Sequence, residues 1–276
     1  MKFGVIIPNQ SPYIDRVLLR EVAAAAEEAG FDILLIWDHY NFPGDNRTLD
    51  AWLALTYVAA YTEKIRLGTC VTPIPFRHPA QLAKIVSSLD ILSGGRAVLG
   101  VGAGWYKPEF NGYWRWYPDS ERVSRTIEGV RLILRLWTES SVNFDGKYYH
   151  VENTILEPKP IQKPHPPMWW GTTGRRMLKA AAEMGDGWIP TMVSPSTYER
   201  LKEELEKLLH KHGRGENFTY AYAEYSTHDE IKAYLKEVEA YEKAGCSLYA
   251  ATWRFPRREA AKKIKEFEKE IISNFK

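Results

Sequence analysis

Asp38 and His39 stand at the end of an unbroken aliphatic run, Ile33-Leu34-Leu35-Ile36, followed by Trp37. An imidazole titrates at about pH 6.5, so His39 can give or take a proton near neutrality. A carboxylate beside it could orient the ring. Neighbouring strand residues point to opposite sides, however, so contact between Asp38 and His39 requires the chain to turn. These two are the catalytic candidates. A structural hydrogen bond from His39 to a loop carbonyl is the plainer alternative.

Three other stretches have residue types suited to holding a ligand. Gly171-Thr172-Thr173-Gly174-Arg175-Arg176 follows an apolar run and opens a helical pattern. Free amides at a helix start bind anions, and glycine lets a ligand approach the backbone. Gly171, Thr172, Thr173, Gly174 and Arg175 are therefore candidates for a phosphate or ring-edge cradle, or simply form a tight turn. Gly100-Val101-Gly102-Ala103-Gly104 looks like a dinucleotide fingerprint, but its third glycine is misplaced and no helix starts directly after it. A Rossmann reading is rejected, while Gly102, Ala103 and Gly104 remain binding candidates. Cys70, Val71 and Thr72 end a further apolar run, closed by Pro73 and Pro75. The histidines at 150, 165, 210, 212 and 228 fall in connectors or charged helices, without metal-ligand spacing. No Gly-x-Ser-x-Gly elbow or P-loop occurs, and no lysine falls at a strand end to support Schiff-base chemistry.

The elements that must position these groups alternate. Strands are predicted over 3–8, 33–37, 65–71, 97–101, 167–171, 187–190, 218–223 and 247–252. Helices are predicted over 15–29, 48–60, 79–92, 120–136, 175–184, 196–212, 228–244 and 257–272. An aromatic-rich loop is expected over 106–118. Asp145-Gly146 marks a hairpin, and the proline-rich stretch after it an extended connector, giving an insertion at about 140–166 after the fourth helix. Eight strand–helix units predict an α/β fold of the (β/α)8 TIM-barrel class, in one domain over 1–276. Every candidate named above then follows a strand, at the carboxyl face where such barrels do chemistry.

With 276 residues, the chain matches a barrel of roughly 250. Thirty-seven basic and 35 acidic residues leave a net charge of +2, which gives no reason to expect nucleic acid. No apolar run approaches the roughly 20 residues of a membrane span. The two cysteines make no disulfide framework, and no signal-peptide pattern is seen, so a reducing, cytoplasmic setting is expected.

At this point the chain resembles the bacterial luciferase-like family of flavin and deazaflavin oxidoreductases. The resemblance lies in Trp37-Asp38-His39, the stretch 65–79, Gly94-Gly95-Arg96 through Trp105, Phe144-Asp145-Gly146-Lys147-Tyr148-Tyr149 and Gly185-Asp186-Gly187-Trp188. It implies a (β/α)8 barrel with an insertion, commonly dimeric. The Asp-His pair looks most like the branch using coenzyme F420, a 5-deazaflavin, with the histidine beside the reacting ring. That likeness implies that Cys70-Val71 backs the ring, with a bulge and a cis peptide, and that 102–105 and 172–174 are cofactor loops. Sugar-phosphate dehydrogenases of this branch carry a glutamate where this chain has Trp105, which argues against glucose 6-phosphate as substrate. Glu109 lies nearby without an assigned role. The expected activity is hydride transfer between F420 and a small organic substrate, by a homodimer. The rivals are an FMN-dependent monooxygenase, a non-catalytic flavin-binding barrel, and a phosphate-site isomerase or aldolase.

Overall fold

A computed structural model describes residues 1–44, 46–225, 228 and 230–275. In chain order its first half comprises β1 (Lys2–Ile7), α1 (Arg16–Glu28), β2 (Ile33–Ile36), α2 (Ala51–Ala59), β3 (Arg66–Thr69), β4 (Thr72–Pro73), α3 (Pro79–Leu92), β5 (Ala97–Gly102), α4 (Lys107–Tyr113) and α5 (Asp119–Thr138). There follow β6 (Val142–Asp145), β7 (His150–Thr154), β8 (Met168–Trp170), α6 (Arg175–Met184), β9 (Gly187–Trp188), α7 (Pro195–Lys211), β10 (Thr219–Ala223), α8 (Ala233–Lys243), β11 (Leu248–Thr252) and α9 (Arg257–Glu270).

Strands β1, β2, β3, β5, β8, β9, β10 and β11 pair in parallel in that order, and β11 returns to β1. This is the closed (β/α)8 TIM barrel expected from the alternation. Period-two alternation sorts the strand residues. Ile6, Ile33, Leu35, Val98, Trp169, Ala221, Leu248 and Ala250 fill the interior, while Val5, Leu34, Ile36, Leu99, Trp170 and Tyr249 lie under the helices. Burying such a side chain contributes roughly 1.5–3 kcal/mol.

Local signals place the helices. Asp15 caps α1 by accepting from Val17 and Leu18 N–H at 2.8 and 3.2 Å, and Gly30 leaves it with φ +80°. The hairpin β6–β7 forms as expected, its turn pinned by Glu128 of α5, which accepts from Lys147 and Tyr149 N–H at 3.1 and 2.9 Å.

Two expectations need correction. The stretch 106–118, expected as loop, contains helix α4, with Pro108 in its first turn and Phe110 buried. The helix expected over 228–244 is observed only as Ala233–Lys243, and position 229 lies outside the described residues. Among the described residues no helix is long and apolar enough to cross a membrane.

Candidate functional site

All four residues of β2 are buried, so the strand delivers Trp37, Asp38 and His39 to the carboxyl mouth with little freedom. Asp38 and His39 then diverge. Asp38 accepts a bidentate pair of bonds from Arg77 at 2.7 and 3.0 Å and a third from the Thr72 hydroxyl at 2.8 Å. Arg77 also donates to Asp50 at 2.9 Å, and Asp50 caps α2 through Trp52 and Leu53 N–H. Asp38 therefore does not orient His39. The alternation that turns His39 one way turns Asp38 the other, onto a largely buried cation that ties the β2–α2 loop to the segment before α3. Thr72 is likewise fully buried with its hydroxyl on Asp38, so it supports the mouth from behind and is closed to a ligand.

The carboxylate on His39 is Glu109, 70 residues further along. His39 Nδ1 lies 3.0 Å from Glu109 Oε2, and Asn41 N–H donates to Glu109 Oε1 at 3.2 Å. Tyr40 N–H donates to the same oxygen. Glu109 is buried, and its helix is wedged in place by Phe110, whose ring packs on Phe76 at 4.5 Å. Gly104 makes room for that ring. It has φ +79°, and a Cβ there would fall 2.5 Å from Phe110. The sequence signal for Glu109 was proline followed by an acid, a common helix start.

The floor of the mouth lies opposite. The Cys70–Val71 peptide is cis, as expected, and the two half-buried side chains pack against the interior cluster of Ile6, Trp37, Ile189 and Ala223. Glycines clear the space around Val71. A Cβ on Gly102 would lie 2.5 Å from Val71 Cγ2, and one on Gly171 2.8 Å from Cγ1. Gly102 and Gly171 thus meet Val71 at one corner, where Gly171 N–H donates to Val101 O at 2.9 Å, while Gly104 sits against Phe110 and Pro73.

Beyond Gly171, Trp188 Nε1 donates to Thr172 O at 2.7 Å, and Gly174 N–H donates to Thr172 Oγ1 at 3.0 Å. Helix α6 starts at Arg175 with no side-chain cap. Arg175 is exposed, whereas Arg176 is fixed on Ser120 O and Ser124 Oγ. The rim is aromatic. Trp37 stacks on Phe42 at 5.1 Å and on Tyr225 at 5.7 Å; His39 meets Phe42 edge-on at 5.0 Å and Trp105 at 5.9 Å. Arg254 lies over Trp37 at 4.8 Å. Burial pushes the Tyr40 phenol up to about 12, so it stays protonated.

The mouth fits a flat, phosphate-bearing cofactor. It has an apolar floor, glycines that keep side chains off it, and an uncapped helix start beside an exposed arginine. Gln10 Oε1 and Asn41 Oδ1 are buried acceptors with no hydrogen-bond partner among the described residues, suited to N–H or O–H donors of a ligand.

Comparison with known proteins agrees in fold and narrows the family. The pattern of the luciferase-like monooxygenase family matches residues 1–271. An F420-dependent glucose-6-phosphate dehydrogenase of Gordonia bronchialis is 35% identical over 181 residues, 63% of this chain and 52% of that protein. An FMNH(2)-dependent dimethylsulfone monooxygenase of Pseudomonas putida is 30% identical over 192 residues, 68% of this chain and 52% of that protein. The chain thus spans about half the length of these relatives. An F420-dependent secondary alcohol dehydrogenase, solved with an F420–acetone adduct, superposes with a TM-score of 0.85 over 99% of this chain and 98% of that one, at 20% identity; at that identity the likeness is one of fold.

Proposed function

The chain belongs to the luciferase-like monooxygenase family, and on that premise we propose that it is an F420-dependent oxidoreductase acting on a small organic substrate. The observation that carries this reading is a hydrogen-bonded histidine, His39, at the same barrel mouth as the apolar Cys70–Val71 floor. Bound F420 would supply a carbon that accepts or gives a hydride, two electrons at once. Cys70 and Val71 would back its ring, Gly102, Ala103 and Gly104 would pass along its edge, and Gly171 to Gly174 with Arg175 would take its phosphate. His39 gives or takes the accompanying proton. Phe42 and Trp105 keep water from the imidazole and hold its plane, which fixes the geometry that orientation-driven catalysis needs. Asp38 serves the site indirectly, by holding Arg77.

The chain reads as one domain with an insertion at about 140–166. Exposed Tyr113 and Trp114 at the end of α4 support a homodimer. Two unpaired cysteines, Cys70 and Cys246, support a cytoplasmic setting. FMN-dependent oxygenation is the second reading, favoured by the dimethylsulfone monooxygenase relative. Anaerobic turnover of oxidised F420 with a panel of secondary alcohols, beside oxygen uptake with reduced FMN, separates the two. F420 reduction without oxygen uptake is expected, and rapid oxygen uptake with no F420 reduction would overturn the proposal.

A further inference from the structure

We propose that Glu109 is the positioning residue of this site: its carboxylate holds His39 with the hydrogen on Nδ1, which makes Nε2 the atom that exchanges the substrate proton. The inference rests on the reading of His39 as the proton-transfer group.

Three N–H groups converge on Glu109. Tyr40 and Asn41 backbone amides can only donate, and both meet Oε1. Oε2 is left for His39 Nδ1 at 3.0 Å. An ionised carboxylate is an acceptor only, so the ring nitrogen it meets must carry hydrogen. A neutral imidazole has one N–H, so Nε2 then presents a lone pair. That nitrogen has no hydrogen bond to the described residues, whereas Nδ1 does. The ring cannot easily flip to exchange them, because Phe42 and Trp105 stand edge-on to it. The amides of Tyr40 and Asn41 follow His39 directly, so the same carboxylate fixes both the ring and the backbone that carries it.

Held against Cys70 and Val71, a 5-deazaflavin would supply the two-electron acceptor for the hydride that leaves a substrate carbon in the oxidation direction. The heteroatom on that carbon forms a double bond and releases its proton to Nε2. In reduction the same Nε2–H is returned. Glu109 touches neither substrate nor cofactor in this scheme. It sets which nitrogen faces them, and it offsets the positive charge of the ring when both nitrogens are protonated.

The test uses the full chain labelled with 15N-histidine, without cofactor, at a pH where the His39 ring is neutral. A His39→Gln spectrum identifies the signals. We expect protonated Nδ1 and unprotonated Nε2 in the wild type. In Glu109→Gln the amide oxygen can keep the Tyr40 and Asn41 N–H groups while its NH2 faces the ring, so the hydrogen should move to Nε2. Turnover with F420 should fall by about 10²–10⁴-fold with the F420 Kd unchanged, and Glu109→Asp should restore part of it. A wild-type ring protonated on Nε2 overturns the proposal and needs no variant to be seen. So does a hydrogen that moves in Glu109→Gln with kcat unaltered. Because the ring signature is read without cofactor, failure of F420 to bind would count against the functional reading alone.

Discussion

The two ends of the barrel treat their charged side chains differently. At the amino end they are spent on the backbone. Glu27 accepts the N–H groups of Glu63, Lys64 and Ile65 at 2.6–3.0 Å. Arg96 donates to Ala59 O, Thr62 O, Ile65 O and Ser93 O. Asp90 takes Ile161 and Gln162 N–H, and Asp32 takes Phe3 N–H. A cavity of about 370 Å3 opens there among Lys2, Glu27, Asp32 and Trp169, yet its two acids, Glu27 and Asp32, are occupied in accepting backbone N–H groups. At the carboxyl end, hydrogen-bonding capacity is left over: the second nitrogen of His39, the acceptors of Gln10 and Asn41, and the start of α6. Chemistry is therefore sought where bonds remain to be made. The contrast also runs within the carboxyl end. Asp38 is taken up by the side chains of Arg77 and Thr72, while Glu109 holds two backbone amides and His39 together.

Removing His39 should have the largest effect. His39→Ala is expected to lower kcat by about 10²–10⁴-fold with the F420 Kd little changed; steady-state turnover and equilibrium titration check this. An unchanged rate would erase the distinction between the ends. At the amino end, Arg96→Met leaves several buried carbonyls without donors. It should cost about 4 kcal/mol in urea unfolding, with kcat of the folded protein unaltered. A loss of turnover without a loss of stability would place function at the wrong end. Asp38→Asn should fall between the two classes. Arg77 keeps Asp50, so the expected loss is about 2 kcal/mol of stability, with kcat within about tenfold of wild type. A fall as deep as that of His39→Ala would return Asp38 to the chemistry.

The smallest effect tests a half-buried acid on α8, Glu237. Burial pushes the Glu237 carboxyl from 4.5 up to about 7, the Glu224 carboxyl adds to the rise, and His228 opposes it. The folded protein thus keeps a proton that the unfolded chain releases. This contribution to stability is fully present below about pH 4.5 and is lost as pH rises through about 7. Urea midpoints of the wild type should decline across that window, and Glu237→Gln should flatten the decline. A wild-type midpoint that climbs there, with no change of slope in the variant, would show that Glu237 does not titrate with folding.

Much of the fold was legible because its signals are local. Continuous apolar runs marked the strands, and Asp15, Gly30 and Pro79 bounded helices within a residue or two of where they lie. The floor at Cys70–Val71 and the glycine cluster were legible by family likeness. Helix α4 was not, because its seven residues are too short for an amphipathic period to register. With it went Glu109. Asp38 sits next to His39 in sequence and was paired with it there, but strand geometry separates neighbours. The true partner comes from 70 positions away, a contact that no spacing rule encodes.

The central claim is that the carboxyl mouth is shaped for a deazaflavin. Titrating the purified protein with F420 and with FMN in parallel, and taking both dissociation constants, tests it most directly. The account predicts that F420 binds at least tenfold more tightly than FMN, and that Val71→Phe, which crowds the floor, weakens F420 binding. Tighter binding of FMN, or F420 binding indifferent to Val71→Phe, would contradict it.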